Sequence, residues 1–211
     1  MKKIVIIVSM LVLITGCTNI NKLNYSDIVN NISTSSPKNN VYRTGYSYYL
    51  PRGMQVSNST MYNEVIEDAN SKYYLYVDAV SYENKIEKEY QINNKAIYSS
   101  KISFEDKFGY VEINLLKNNK YLVEIMYNYA KIEVIVDKSK CKEAMLSIIN
   151  ILKSVEYNDS IIANLMGDDI LNFNEEEFNI FNTKGSESNY LTVDNDYKEE
   201  EEKIFDPDLI N

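Results

Sequence analysis

Between Val41 and Asp137 the apolar residues recur with a period of two, in short runs broken by polar turn clusters. Residues two apart on a strand share a face, so this pattern builds strands with one apolar side. Gly45-Tyr46-Ser47-Tyr48-Tyr49-Leu50-Pro51 reads as a first strand, ended by a proline that cannot donate to a ladder. Met61 to Glu67 and Lys72 to Ser81 flank the turn Asp68-Ala69-Asn70-Ser71 and predict a hairpin. Ala96 to Phe104 and Tyr110 to Leu116 flank Glu105-Asp106-Lys107-Phe108-Gly109 and predict a second. Lys117-Asn118-Asn119-Lys120 turns the chain into Tyr121 to Tyr127, and Asn128-Tyr129-Ala130 leads into Lys131 to Val136. Connections this short demand antiparallel neighbours, because parallel ones need a long crossover. The sequence therefore predicts an antiparallel sheet of about six to seven strands.

The faces of that sheet differ. Tyr121, Val123, Ile125 and Tyr127 share one side with Ile132, Val134 and Val136, which makes it the core face. Leu122, Glu124 and Met126 share the other with Glu133 and Ile135, so the second face is partly covered or partly wet. At residues 138–155 the period changes. Cys141, Met145, Ile148, Ile149, Leu152 and Val155 recur at helical spacing behind a capping Asp137 or Ser139. An amphipathic helix lying across the apolar face follows, each large aliphatic contributing ~1.5–3 kcal/mol by burial. The fold class is thus α+β. Cys141 falls on the stripe and reads as a small buried hydrophobe.

Composition narrows the chemistry. The chain has no histidine and no tryptophan, and its cysteines are Cys17 and Cys141. An imidazole base, a Ser-His or Cys-His pair and a histidine zinc site are therefore all excluded. The formal charge is −9, and it is unevenly placed. Residues 159–211 hold fifteen acids and three lysines, whereas residues 17–158 hold sixteen acids and seventeen bases. The body lacks the basic surplus that nucleic acid requires.

The N-terminus supplies an address. Lys2 and Lys3 precede an apolar run from Ile4 to Ile14, followed by Thr15, Gly16 and Cys17. That is the order of a secretory signal, and the run is shorter than the roughly 20 residues a spanning helix needs. Ile14-Thr15-Gly16-Cys17 resembles the lipobox of bacterial lipoproteins. The resemblance implies cleavage of signal peptide 1–16 between Gly16 and Cys17, and a diacylglycerol thioether on Cys17. Two acyl chains, at ~0.8 kcal/mol per methylene, are worth on the order of 20 kcal/mol and hold the chain to the extracytoplasmic face of the cell membrane. Residues 17–40 are then a lipidated tether. A short helix from about Ser26, with Leu23, Ile28 and Ile32 on one side, precedes a polar linker 33–40 that would hold the domain off the membrane.

The opening strand closing on Leu50-Pro51, the antiparallel strands, and the helix ending Ile148-Ile149-Asn150-Ile151-Leu152-Lys153-Ser154-Val155 resemble the PsbP-like fold. The resemblance covers residues 41–158 and implies an antiparallel sheet flanked by helices, in a family composed mostly of non-enzymatic accessory proteins. The chain also resembles a group of uncharacterised lipoproteins of low-GC Gram-positive bacteria in which an acidic tail follows the domain. Here residues 159–211 read as a short helix, Ser160 to Met166, and a partly disordered acidic extension. Its runs Glu175-Glu176-Glu177 and Glu199-Glu200-Glu201-Glu202 alternate with Phe178-Asn179-Ile180-Phe181 and Tyr190-Leu191-Thr192-Val193.

Candidate sites are few. Tyr73, Tyr74, Tyr76 and Tyr82 cluster on one strand and its end and suggest a sugar-stacking surface, although tyrosine is also a strong strand former. Asp168-Asp169, Glu175-Glu176-Glu177 and Asp194-Asn195-Asp196 offer carboxylates to calcium, but without the glycine and glutamate spacing of an EF-hand they read better as a solvated acidic surface. No nucleophile elbow or phosphate loop occurs, Ser154 has no base, and no catalytic, metal or cofactor-binding residue is assigned. The expectation is a lipid-anchored, non-enzymatic binding or accessory module for another membrane or surface protein, with no cofactor. The second reading is a cell-wall glycan binder whose partner is peptidoglycan.

Overall fold

The structure, a computed structural model, describes residues 20–167; Gly16, Cys17, the signal and the acidic segment 168–211 lie outside the described residues. Seven strands form one antiparallel sheet: β3 (Gln55–Ser59), β4 (Asn63–Glu67), β5 (Lys72–Val77), β6 (Tyr98–Phe104), β7 (Lys107–Leu115), β8 (Lys120–Tyr127) and β9 (Ala130–Asp137). Their order is β3-β4-β5-β9-β8-β7-β6. The sequence-predicted α+β class with an antiparallel sheet is what the chain adopts. The connections explain the pairing. Asn128 and Tyr129 both take positive φ, 50° and 62°, the two-residue turn whose twist matches a hairpin, so Tyr127 pairs directly with Ala130. Gly109 lets β7 approach β8, since a Cβ there would stand 2.0 Å from the Met126 carbonyl oxygen.

Helix α3 (Cys141–Leu152) packs on β8 and β9. Met145, Ile148, Ile149, Ile151 and Leu152 are fully buried beneath it, against Val123, Ile125, Ile132 and Val134. It follows a 3-10 turn, Lys138–Lys140, and no side chain caps it, so neither Asp137 nor Ser139 has the expected role. α2 (Ala79–Glu83) and α4 (Asp159–Gly167) are shorter helices. Asp78 caps α2 by accepting the Ser81 amide at 2.8 Å.

Three elements differ from expectation. The opening strand is only β2 (Tyr46–Tyr48), and it pairs with β1 (Val41–Tyr42) and β10 (Glu156–Tyr157) in a separate three-stranded sheet. The second hairpin turns on Glu105 and Asp106 alone, with Glu105 at φ 55°, so Lys107 to Gly109 belong to β7. Helix α1 (Tyr25–Val29) begins at Asn24, not Ser26, and the Asn24 amide donates to Asp27 at 2.9 Å. A 3-10 turn, Asn30–Ser33, follows it.

The first forty residues are also more than a spacer where they are described. Ile28, Val29 and Ile32 are buried in the core, and α1 packs against α3. Lys153 donates to Thr34 Oγ1 at 2.7 Å, and Ser36 Oγ donates to the Lys153 carbonyl at 2.9 Å. Asn39 and Asn40 bond to Ser47 and Leu50. The stretch read as a stand-off linker is thus sewn to the body.

Candidate functional site

The face of the sheet turned away from α3 carries the densest polar chemistry among the described residues. The register places Glu112 opposite Glu124, and Glu124 opposite Glu133, in one straight row across three strands. Tyr74 continues the row beyond Glu133. Directly opposite residues have Cβ atoms about 5 Å apart, so three carboxylates are stacked side by side. All three are buried: Glu112 is 1 % exposed, Glu124 4 % and Glu133 7 %.

Donors converge on them. Glu112 accepts from Tyr90, from Asn93 Nδ2 at 3.0 Å and from Asn114 Nδ2 at 2.7 Å. Glu124 accepts from the Tyr110 hydroxyl, and Glu133 from Lys131 Nζ at 2.9 Å. The Tyr90 ring lies flat on Tyr110, centroids 4.1 Å apart and 2° from parallel. Tyr90 and Asn93 belong to the crossover 84–97 between α2 and β6, which therefore closes over Glu112. Burial, and then the neighbouring carboxylates, push the Tyr90 and Tyr110 hydroxyls well above their usual range. Two carboxylates at this spacing would suit acid–base work on a glycoside. Here the donors hold each one in the fabric of the sheet and pin the crossover to it.

A second buried carboxylate lies on the core side. Glu64, 2 % exposed, receives Arg43 Nε at 3.0 Å and Nη2 at 2.8 Å, Tyr46 at 2.6 Å and Tyr48 at 2.8 Å. Arg43 joins β1 to β2, and both tyrosines lie on β2, so one side chain of β4 clamps the small sheet onto the large one. Burial foremost, then the charge of Glu64, raises both phenols well above 10.

The tyrosines expected to form one surface are divided. Tyr73 is buried on the core side with its hydroxyl on Asp68 at 2.8 Å. Tyr74 and Tyr76 are half-buried on the other face. Tyr82 leaves the strand for α2, stacking on Tyr157 at 3.8 Å and donating to Asp159 at 2.6 Å. Cys141 is buried, and burial pushes its thiol up to about 11. Ser154 donates to the Ile151 carbonyl at 2.6 Å and accepts the Tyr49 amide at 2.8 Å, a joint between α3 and the small sheet. Among the described residues no group of three acids or cysteines is placed to hold a metal ion, and no helix is long and apolar enough to cross a membrane. Asp168, Asp169, Glu175, Glu176, Glu177, Asp194 and Asp196, offered to calcium by the sequence, lie outside the described residues.

The end of the sheet where the chain enters is different in kind. Tyr25, Asn118, Asn119, Asp137, Lys138, Ser139 and Lys142 line an open groove of about 650 Å³. Lys117, Lys120, Lys138 and Lys140 are exposed around it. Lys142 stands 5.9 Å from the Tyr25 ring, and Lys140 pairs with Glu143 at 2.9 Å.

Local sequence gave no sign of the glutamate row, because each member reads as a solvent-side residue of its own strand. Glu64 did leave a signal: it is in phase with Ile66 and Tyr62, where an apolar residue belongs. Comparison of the chain with protein-family models, with curated proteins and with solved structures finds no match.

Proposed function

We propose that this chain is a lipid-anchored protein of the extracytoplasmic face of the cell membrane, carrying palmitate and diacylglycerol on Cys17 and working without catalysis as a binding or accessory module for another membrane or surface protein. The element order, an aromatic opening strand, antiparallel strands and a closing helix, supports reading the domain as PsbP-like. The observation that carries the proposal is the placement of Ile20 and of the start of α4. Ile20 enters beside the start of α3, whereas α4 starts at the other end of the sheet, by Tyr82 and the 128–129 turn. An anchor reached through Ile20 would leave the sheet end at Tyr82 and the 128–129 turn facing away from the bilayer, where a partner can reach it.

The buried carboxylates fit the same reading, because their donors tie strands and crossover together and give the fold its use for them. Metabolic labelling with a clickable palmitate tests the anchor: the wild type takes up label, and Cys17→Ser neither labels nor stays with membranes washed in high salt. Crosslinking in intact cells tests the partner. A captured membrane protein that is lost on deleting residues 168–211 supports the module; capture unchanged by that deletion removes the acidic segment as the contact.

A further inference from the structure

We propose that the groove end of the sheet lies directly on the anionic surface of the bilayer, so that the domain docks on lipid headgroups and does not stand off from them. This rests on Cys17 being the lipid-bearing residue. Two residues, Thr18 and Asn19, lie between Cys17 and Ile20, and the three fully extended steps from one to the other span at most about 11 Å. From Ile20 onward the chain is packed. The turn Ile20–Lys22 touches α3, Ile28 and Ile32 are in the core, and Thr34 and Ser36 are bound to Lys153. Residues 33–40 come after this docking, so they add nothing to the tether. An attached lipid therefore holds this end within roughly one screening length of the headgroups.

The chemistry of the end matches such a surface. Lys22, Lys117, Lys120, Lys138 and Lys140 are exposed there with Lys142 half-buried among them, against Asp27, Asp137, Glu143 and the half-buried Asp68, while Lys72 and Glu67 at the same end pair at 3.3 Å. Leu115 and Ile97, 55 % and 46 % exposed, close the β7–β6 end beside these lysines and can sink into the headgroup layer. The opposite end carries the other sign. Glu87, Glu105, Asp106 and Asp159 are exposed there, against exposed Lys85, half-buried Lys107, and Lys88, which is tied to Asp78 at 2.6 Å. An anionic membrane attracts the first end and repels the second, which orients the domain as well as holding it. Each lysine near such a surface is worth about a fivefold gain in partition.

The test uses the full chain as recovered from membranes, placed in phosphatidylcholine vesicles with or without phosphatidylglycerol. Ser139→Cys at the groove and Asp106→Cys at the far end each carry a fluorophore, and a lipid-borne quencher reports contact; Cys141 stays unlabelled because it is buried. Quenching at 139 but not at 106, only with phosphatidylglycerol, and relieved by high salt, is the expected result. The Lys22→Glu, Lys120→Glu, Lys138→Glu triple variant, its fold checked by circular dichroism, should abolish that contact while the chain still sediments with the vesicles. Equal quenching at both positions, or none at either in a chain that sediments, overturns the docking. If the chain carries no lipid, the anchor reading falls separately. The unlipidated chain then decides the matter by sedimentation: salt-sensitive preference for phosphatidylglycerol, weakened on the order of a hundredfold in the triple variant, upholds the surface, and equal partition into both vesicles overturns it.

Discussion

The two faces of the seven-stranded sheet bury their side chains by different means, and the helix face buries far more of them. Under α3 the strands contribute Leu75, Val111, Ile113, Val123, Ile125, Ile132 and Val134, and Glu64 is the one buried charge among them, answered at once by Arg43, Tyr46 and Tyr48. The opposite face buries Glu112, Glu124, Glu133 and Lys131 together. One face gains its stability from area removed from water; the other from hydrogen bonds that must all be made at once. The contrast teaches that burial does not by itself name a core. On the helix face a polar residue is an isolated fixture with a matched partner, and on the other face the polar residues are the packing.

The largest effect should come from breaking the apolar side. Ile148 and Leu152 are fully buried between α3 and the sheet, so Ile148→Asp or Leu152→Asp places an unpaired charge there. Either should unfold the domain, a loss of more than about 4 kcal/mol, seen as loss of the cooperative urea transition by circular dichroism. Next comes the clamp. Glu64→Ala leaves a guanidinium and two buried phenols without their acceptor, and should cost about 3–5 kcal/mol. Glu64→Gln, which keeps an acceptor and loses the charge, should cost about 1.5–3 kcal/mol. A stability loss below about 1 kcal/mol for Glu64→Ala, taken from its urea transition, would show that the small sheet is held by something other than this carboxylate.

Alkaline pH probes both faces together. Burial and adjacent carboxylates raise the folded-state values of Tyr46 and Tyr48 on one face and Tyr90 and Tyr110 on the other. A phenol whose folded value exceeds its unfolded value near 10 contributes its stability fully below pH 10. That contribution is lost as pH rises from there through the folded values. By pH 11 the loss should be about 1.4 kcal/mol for each tyrosine so held. Tyrosinate absorbance near 295 nm for these four should appear with unfolding and not before it. Early ionisation of Tyr90 and Tyr110 alone would mean that the crossover 84–97 opens while the helix face stays shut.

What could be read from the chain follows the same division. The strands from Asn63 to Val77 and from Lys120 to Asp137 were legible because alternation and turn residues both act within a few positions. The stripe of α3 was legible for the same reason. β3 was not, since Gln-Val-Ser-Asn-Ser offers one apolar residue and carries a bulge between Val56 and Asn58. The small sheet was hidden because its strands of two and three residues have no period to show. The glutamate row needs the register of three strands and the fall of a crossover, neither of which any one segment contains. The docking of 20–40 turned on Lys153 reaching back 119 residues to Thr34.

The smallest effect is the most discriminating, because its sign should differ between the faces. Glu124 sits in the middle of the row, directly opposite Glu112 on one side and Glu133 on the other. Glu112 accepts from Tyr90, Asn93 and Asn114, and Glu133 from Lys131. Like charges directly opposite on neighbouring strands are destabilising by a few tenths of a kcal/mol to about 1 kcal/mol. Glu124→Gln removes both repulsions at once, conserves shape, and leaves an oxygen to accept from Tyr110. At neutral pH it should therefore be neutral or stabilise by about 0.5–1 kcal/mol, where the same exchange at Glu64 destabilises. Urea midpoints of the two variants, measured side by side, give the comparison directly. Equal losses would mean that the charge of Glu124 is wanted as much as that of Glu64, and the two faces would then obey one rule.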